Sequence, residues 1–122
     1  MAARYSDEDI QSMLEEGINP ELHDRLRKAQ SMVDDALQNA TAFPLLHWTY
    51  DLETSALNVA KGIQPVAEDY RDAAAMVAAR PGEEARTTAA TLRDNSAWAF
   101  ARGAEARALA ASLRRLRDRY MR

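Results

Sequence analysis

Four pairs of adjacent carboxylates, Glu15-Glu16, Asp34-Asp35, Glu68-Asp69 and Glu83-Glu84, are where general acid–base chemistry would first be sought in this chain. Such chemistry needs two carboxyls in one pocket, in surroundings that drive their pKa values apart. Neighbours on a helix point about 100° apart, so no pair makes a site by itself. Glu83-Glu84 also follow Pro81-Gly82, where negative charge suits the start of a helix. All four pairs read as surface and capping groups.

His23 and His47 are the two histidines. A metal site in a helical bundle wants Glu-x-x-His pairs or two histidines one turn apart on one face. Neither spacing occurs: Glu21 is two residues from His23, and the histidines fall 24 apart on different elements. The chain has no cysteine, which excludes a disulfide scaffold, a thiolate zinc site and a cysteine nucleophile. No glycine-rich phosphate loop and no serine in a nucleophile-elbow context is present. The expectation is no metal, no cofactor and no catalytic residue, hence a protein that is not an enzyme.

The most unusual pattern is a row of arginines. Arg86, Arg93, Arg107 and Arg114 keep a seven-residue spacing, with Phe100 in the missing place and Arg115 and Arg122 close to the same arc. Such a row could follow a phosphate backbone or an acidic helix. The plainer reading is a solvated face, some of whose arginines pair with acids of the N-terminal half. Residues 1–60 carry 11 acids and 4 bases, a net of −7; residues 61–122 carry 8 acids and 12 bases, a net of +4. The whole chain stands at −3, whereas nucleic-acid-binding domains are expected to be strongly basic.

Of the large aromatics, Trp48 belongs to a core seam, while Trp98 and Phe100 flank an alanine-rich seam on opposite sides. One of these two must leave the immediate helix contact, either to cover a neighbouring helix or to anchor a partner.

The elements that hold these residues are helical. Alanine accounts for 25 of the 122 residues, and Val, Ile and Thr together for only 13, which disfavours any sizeable sheet. Ser6 with Asp9 forms a capping-box-like start for a short helix whose Ile10, Met13 and Leu14 share one face, with Gly17-Ile18 as its stop. Asn19-Pro20 opens a second helix over 20–40, where Leu22, Leu26, Ala29, Val33, Ala36 and Ala40 recur at spacings of four and three, widened by Leu37. A third element over 44–80 places Leu45, Trp48, Leu52, Ala56, Val59 and Ile63 on one side and Leu46, Tyr50 and Leu57 on a second strip. A helix apolar on two sides should touch two neighbours. Gly62 and Pro65 permit either a break or a kink.

Pro81-Gly82 marks a chain reversal. Beyond it Ala85, Leu92, Ala99, Ala106, Leu113 and Tyr120 repeat at strict sevens, joined by Leu109 and Leu116. One helix over 83–121 accounts for this, about 57 Å long at 1.5 Å per residue. A strict seven-residue repeat winds left-handed around a companion. The fold expected is therefore all-α: an antiparallel bundle in a single domain, 1–122, built on a coiled-coil-like hairpin of 44–80 and 83–121, with helix 20–40 and the N-terminal helix laid on it.

The N-terminus turns acidic at once, and the longest uncharged stretch, Ala36 to Tyr50, is too short and polar to span a bilayer. A cytoplasmic protein without membrane contact is expected. The leading functional reading is a non-catalytic protein–protein interaction protein, an adaptor, chaperone or assembly subunit that self-associates. Its partner-binding residues would be Trp98, Phe100, Leu109, Leu113, Leu116 and Tyr120, because the long hairpin outruns its companions and leaves the seam near Leu109–Tyr120 without cover. The alternative is a nucleic-acid-binding regulator or packaging component using Arg86, Arg93, Arg107, Arg114 and Arg115.

Overall fold

A computed structural model of the protein describes residues 5–16, 24–31 and 46–120, with side chains for all of these except 16, 46–48 and 120. Among the described residues there are four helical segments and no strand: α1 (Asp7–Glu16), α2 (24–31), α3 (Leu46–Ala78) and α4 (Glu83–Tyr120). The all-α hairpin expected from the periodicity is the architecture found. α4 runs for 38 residues without interruption, as its seven-residue repeat requires.

α3 likewise continues through Gly62 and Pro65 for 33 residues. Pro65 has no N–H to offer the Lys61 carbonyl, so one ladder bond is missing there. The ring sits at an exposed position, and the packing on either side carries the helix across. The reversal after α3 uses Gly82 at φ 104°, a backbone conformation that L side chains rarely adopt, and the Gly82 carbonyl accepts the first α4 bond from the Arg86 N–H.

The chain gathers into two compact units, Met1–Ile18 with Ile63–Ala101, and Asn19–Gly62 with Arg102–Arg122. In the first, Ile10 of α1 packs with Tyr70, Ala73, Ala74 and Val77 of α3 and with Ala89 and Leu92 of α4. The predicted capping box is formed reciprocally. The Asp9 N–H donates to Ser6 Oγ at 3.1 Å and the Ser6 N–H to Asp9 Oδ2 at 2.9 Å. Two tyrosines then tie α1 down. The Tyr5 hydroxyl donates to Asp69 and the Tyr70 hydroxyl to the Met13 carbonyl, each at 2.8 Å.

The alanine-rich seam lets the two long helices approach closely here. Ser96, one carbon away from its own backbone, donates its hydroxyl directly to the Ala67 main-chain carbonyl at 2.8 Å in a buried contact. Asn95 is buried beside it.

In the second unit α2 lies on the hairpin. Leu26 and Ala29 join Leu52, Ala56, Val59 and Ala60 of α3 and Ala106, Leu109, Ala110 and Leu113 of α4. Gln30 donates to Ser112 Oγ at 3.4 Å and links α2 to α4. Leu109, Leu113 and Leu116 are at most 1% exposed. Each such leucine is worth about 1.5–3 kcal/mol of burial. This corrects, for Leu109, Leu113 and Leu116, the expectation that the seam lacks cover within the chain. Leu26 of α2 occupies the place that a second copy was expected to fill. The Tyr120 side chain lies outside the described residues, as do Gly17, Val33, Ala36, Leu37 and Ala40.

α3 touches two neighbours in this unit, α2 and α4, as its two apolar strips suggested, but both contacts fall on its Ala56–Ala60 side. Leu57 and Tyr50 of the other strip are 47% and 50% exposed, and Tyr50 meets α4 through one face only, under Arg117.

Candidate functional site

Tyr50, Glu53 and Leu57 stand at positions i, i+3 and i+7 of α3 and so share one strip of the helix. Beside them within the second unit, the last third of α4 presents Arg107, Arg114 and Arg115. Glu53 and Leu57 of the α3 strip bound, with Arg107, Ala111, Arg114 and Arg115 among others, an open groove of about 690 Å³; Tyr50 continues the strip beyond the groove's lining. The groove floor is largely alanine.

The groove is built over a buried ion pair. The Arg117 guanidinium meets the Glu53 carboxylate, and both side chains are nearly inaccessible, at 8% and 11% exposure. Arg114 Nε stands 3.8 Å from the other Glu53 oxygen. The carbon of the Arg117 guanidinium lies 3.8 Å from the centre of the Tyr50 ring, a stacked cation–π arrangement. The carboxylate accepting from Arg117 raises that residue's pKa above the ordinary arginine value, and burial opposes it less strongly. Arg115 donates to Ser112 Oγ at 3.0 Å, and Ser112 in turn takes the α2 contact from Gln30. Hence the positions of Arg114 and Arg115 are set by neighbours, while Arg107 is exposed on the groove edge.

The residues singled out from sequence divide as follows. Arg86, Arg93, Arg107, Arg114 and Arg115 all point to solvent, but only the last three border the groove; Arg86 and Arg93 belong to the other unit. Trp98 and Phe100 are half-buried, and the Arg71 guanidinium stands 5.9 Å from the centre of the Phe100 ring. Leu109, Leu113 and Leu116 are core residues and present no surface to a partner. The carboxylate pairs serve structure where they are described. Gln64 donates to Glu68 and Tyr5 to Asp69, and Glu83-Glu84 sit exposed in the first turn of α4. His23, His47 and Asp34-Asp35 fall outside the described side chains.

Sequence reasoning missed Glu53, Arg117 and the exposed role of Tyr50 and Leu57. The only available signal was the i, i+3, i+7 strip itself, a polar residue held between two apolar ones.

A smaller concavity of about 430 Å³ in the first unit is bounded by Tyr5, Asp9, Val66, Asp69 and Tyr70. Both tyrosine hydroxyls there are committed to holding α1, so the concavity marks a structural joint. Among the described residues no group of three or more His, Cys, Asp or Glu is placed to hold a metal, and no helix is long and apolar enough to cross a membrane. No protein-family model, curated protein or solved structure matches the chain.

Proposed function

We propose that this chain is a non-catalytic helical protein–protein interaction protein, an adaptor, chaperone or assembly subunit, and that it binds through the groove of its second unit. One observation carries the reading: Leu57 and Tyr50, two large apolar side chains at heptad spacing, stand about half exposed beside three solvent-facing arginines on a buried, ion-paired base. Apolar anchors rimmed by arginine are the composition of protein interfaces. The self-association first expected from the Leu109–Leu116 seam loses that motivation, because the three leucines are at most 1% exposed within the chain. Nucleic-acid binding is the weaker reading, because a phosphate backbone offers nothing to the exposed apolar pair Tyr50 and Leu57 and the whole chain carries a net charge of −3.

Selection of helical peptides from a display library on the wild-type protein, with counter-selection on Leu57→Glu, tests this. Clones that bind the wild type and are lost on Leu57→Glu support a binding face at the groove. Clones that bind both proteins equally place the interaction elsewhere and contradict it.

A further inference from the structure

We infer that the groove of the second unit takes an acidic amphipathic helix from a protein partner; this rests on the interaction reading above and names the chemistry of what binds.

Two rails define the occupant. On α3, Leu57 lines the groove and the exposed Tyr50 extends its strip seven residues earlier, and on α4, Arg107 and Arg114 of the lining are also seven apart. Two helical turns separate the members of each pair, about 10.5 Å at 1.5 Å per residue. A ligand that satisfies both rails carries apolar groups at one seven-residue repeat and anionic groups at another on an adjoining face. An α-helix with an apolar stripe and an acidic flank has that periodicity. The alanines between the rails present no large side chain, so the floor leaves room for a ligand helix.

Charge fixes the sign of the flank. Arg107 and Arg115 have no carboxylate within ion-pair distance among the described residues. Arg114 has only the Glu53 oxygen at 3.8 Å, and that carboxylate is already paired with Arg117. Three guanidiniums facing solvent in a row, each able to receive a carboxylate in the bidentate fork, complement an acidic helix and oppose a basic one. Asp118 at the far end of the groove gives the row a direction, since an acidic flank must stop before it.

The test uses four probes with the full chain. Three are designed amphipathic peptides about 15 residues long, the length at which isolated helices become marginally stable. They share one leucine stripe and differ only in a flank of Glu, Gln or Lys. The fourth is a short DNA duplex. Fluorescence anisotropy is read at low and at raised salt for the wild type, for Leu57→Ser, and for the combined Arg107→Glu, Arg114→Glu and Arg115→Glu variant. All the altered side chains are exposed, and thermal melting confirms that each variant folds.

The Glu peptide is expected to bind the wild type at least tenfold more tightly than the Lys peptide and to weaken with salt. It should lose at least tenfold on the arginine-reversed variant, to which the Lys peptide now binds. Leu57→Ser should weaken it without changing its salt dependence. If the Gln or Lys peptide binds the wild type as well as the Glu peptide, the acidic occupant is wrong and the interaction reading stands. If none of the three peptides binds, both fall. If the duplex displaces the Glu peptide, the groove reads phosphate and the acidic occupant is again overturned.

Discussion

The Arg117 guanidinium is held between two residues of one α3 strip, stacked 3.8 Å from the centre of the Tyr50 ring and ion-paired with Glu53 one turn further on. A charge placed there is satisfied only while both partners stay in position. Tyr50 is thereby covered on one face by a cation and left open on the other, which is how a large aromatic comes to be half exposed without being loose.

Removing the carboxylate should be costly. Glu53→Ala strands the Arg117 charge in a site where its side chain is 8% exposed, and a loss of about 3 kcal/mol is expected. The combined change Glu53→Leu with Arg117→Met should recover most of it, because an apolar pair of similar volume avoids the desolvation cost. Urea midpoints measure both; a Glu53→Ala midpoint equal to wild type would show that the pair is solvated.

The same pair sets an expectation for pH. The Arg117 pKa is raised in the folded state, so its stabilisation is fully present below the unfolded-state value and disappears only when pH climbs through the folded one. Arginine titrates far into the alkaline range. The stability difference between wild type and Arg117→Met should therefore stay constant from neutrality to about pH 10, as followed by urea titration. A difference that shrinks over that range would contradict the assignment.

Leu113 is fully buried between α2, α3 and α4. Leu113→Ala should cost about 2–5 kcal/mol, and Leu113→Arg should unfold the chain. Circular dichroism melting with light scattering distinguishes this from an effect on assembly. A folded Leu113→Arg protein with an unchanged melting temperature and a smaller mass would restore the exposed-seam reading.

Much of the fold was legible because it follows local rules that tertiary packing does not overturn. The Ser6–Asp9 box, the Pro81-Gly82 reversal and the repeat from Ala85 to Leu113 each depend on a few neighbouring residues, and each is present. The candidate site was less legible. A seven-residue repeat says that Leu109 and Leu113 need cover but not whether α2 or another chain supplies it; Leu26 supplies it here. The second strip of α3 obeys the same periodicity whether it is buried or bare, so Tyr50 and Leu57 looked like core. Glu53 and Arg117 looked like surface because charges usually are, and only their meeting across the hairpin reverses that.

The two described glycines with open surroundings should respond with opposite signs. A Cβ added at Gly62 or Gly82 meets nothing within 4 Å, so backbone preference alone decides. Gly62 lies inside α3, and Gly62→Ala should stabilise by up to about 1 kcal/mol. Gly82 sits at φ 104°, and Gly82→Ala should destabilise by about 1–2 kcal/mol. Thermal melts of the two variants that shift in the same direction would contradict the backbone described at one of these positions.

The α1 helix depends on its tyrosine ties. Tyr70→Phe removes the bond to the Met13 carbonyl, worth about 1 kcal/mol. Amide hydrogen exchange should quicken across 7–16 and remain unchanged at Leu109–Leu113. Equal acceleration in both places would mean that the loss is global and that the tie is not local.

The most direct measurement is an amide chemical-shift map of the labelled protein titrated with the Glu-flanked amphipathic peptide. Shifts concentrated at 50–57 and 107–118, with Ile10, Tyr70 and Leu92 unmoved, are predicted. Shifts centred on α1 and the Tyr70–Leu92 core, with the groove residues silent, would contradict the account.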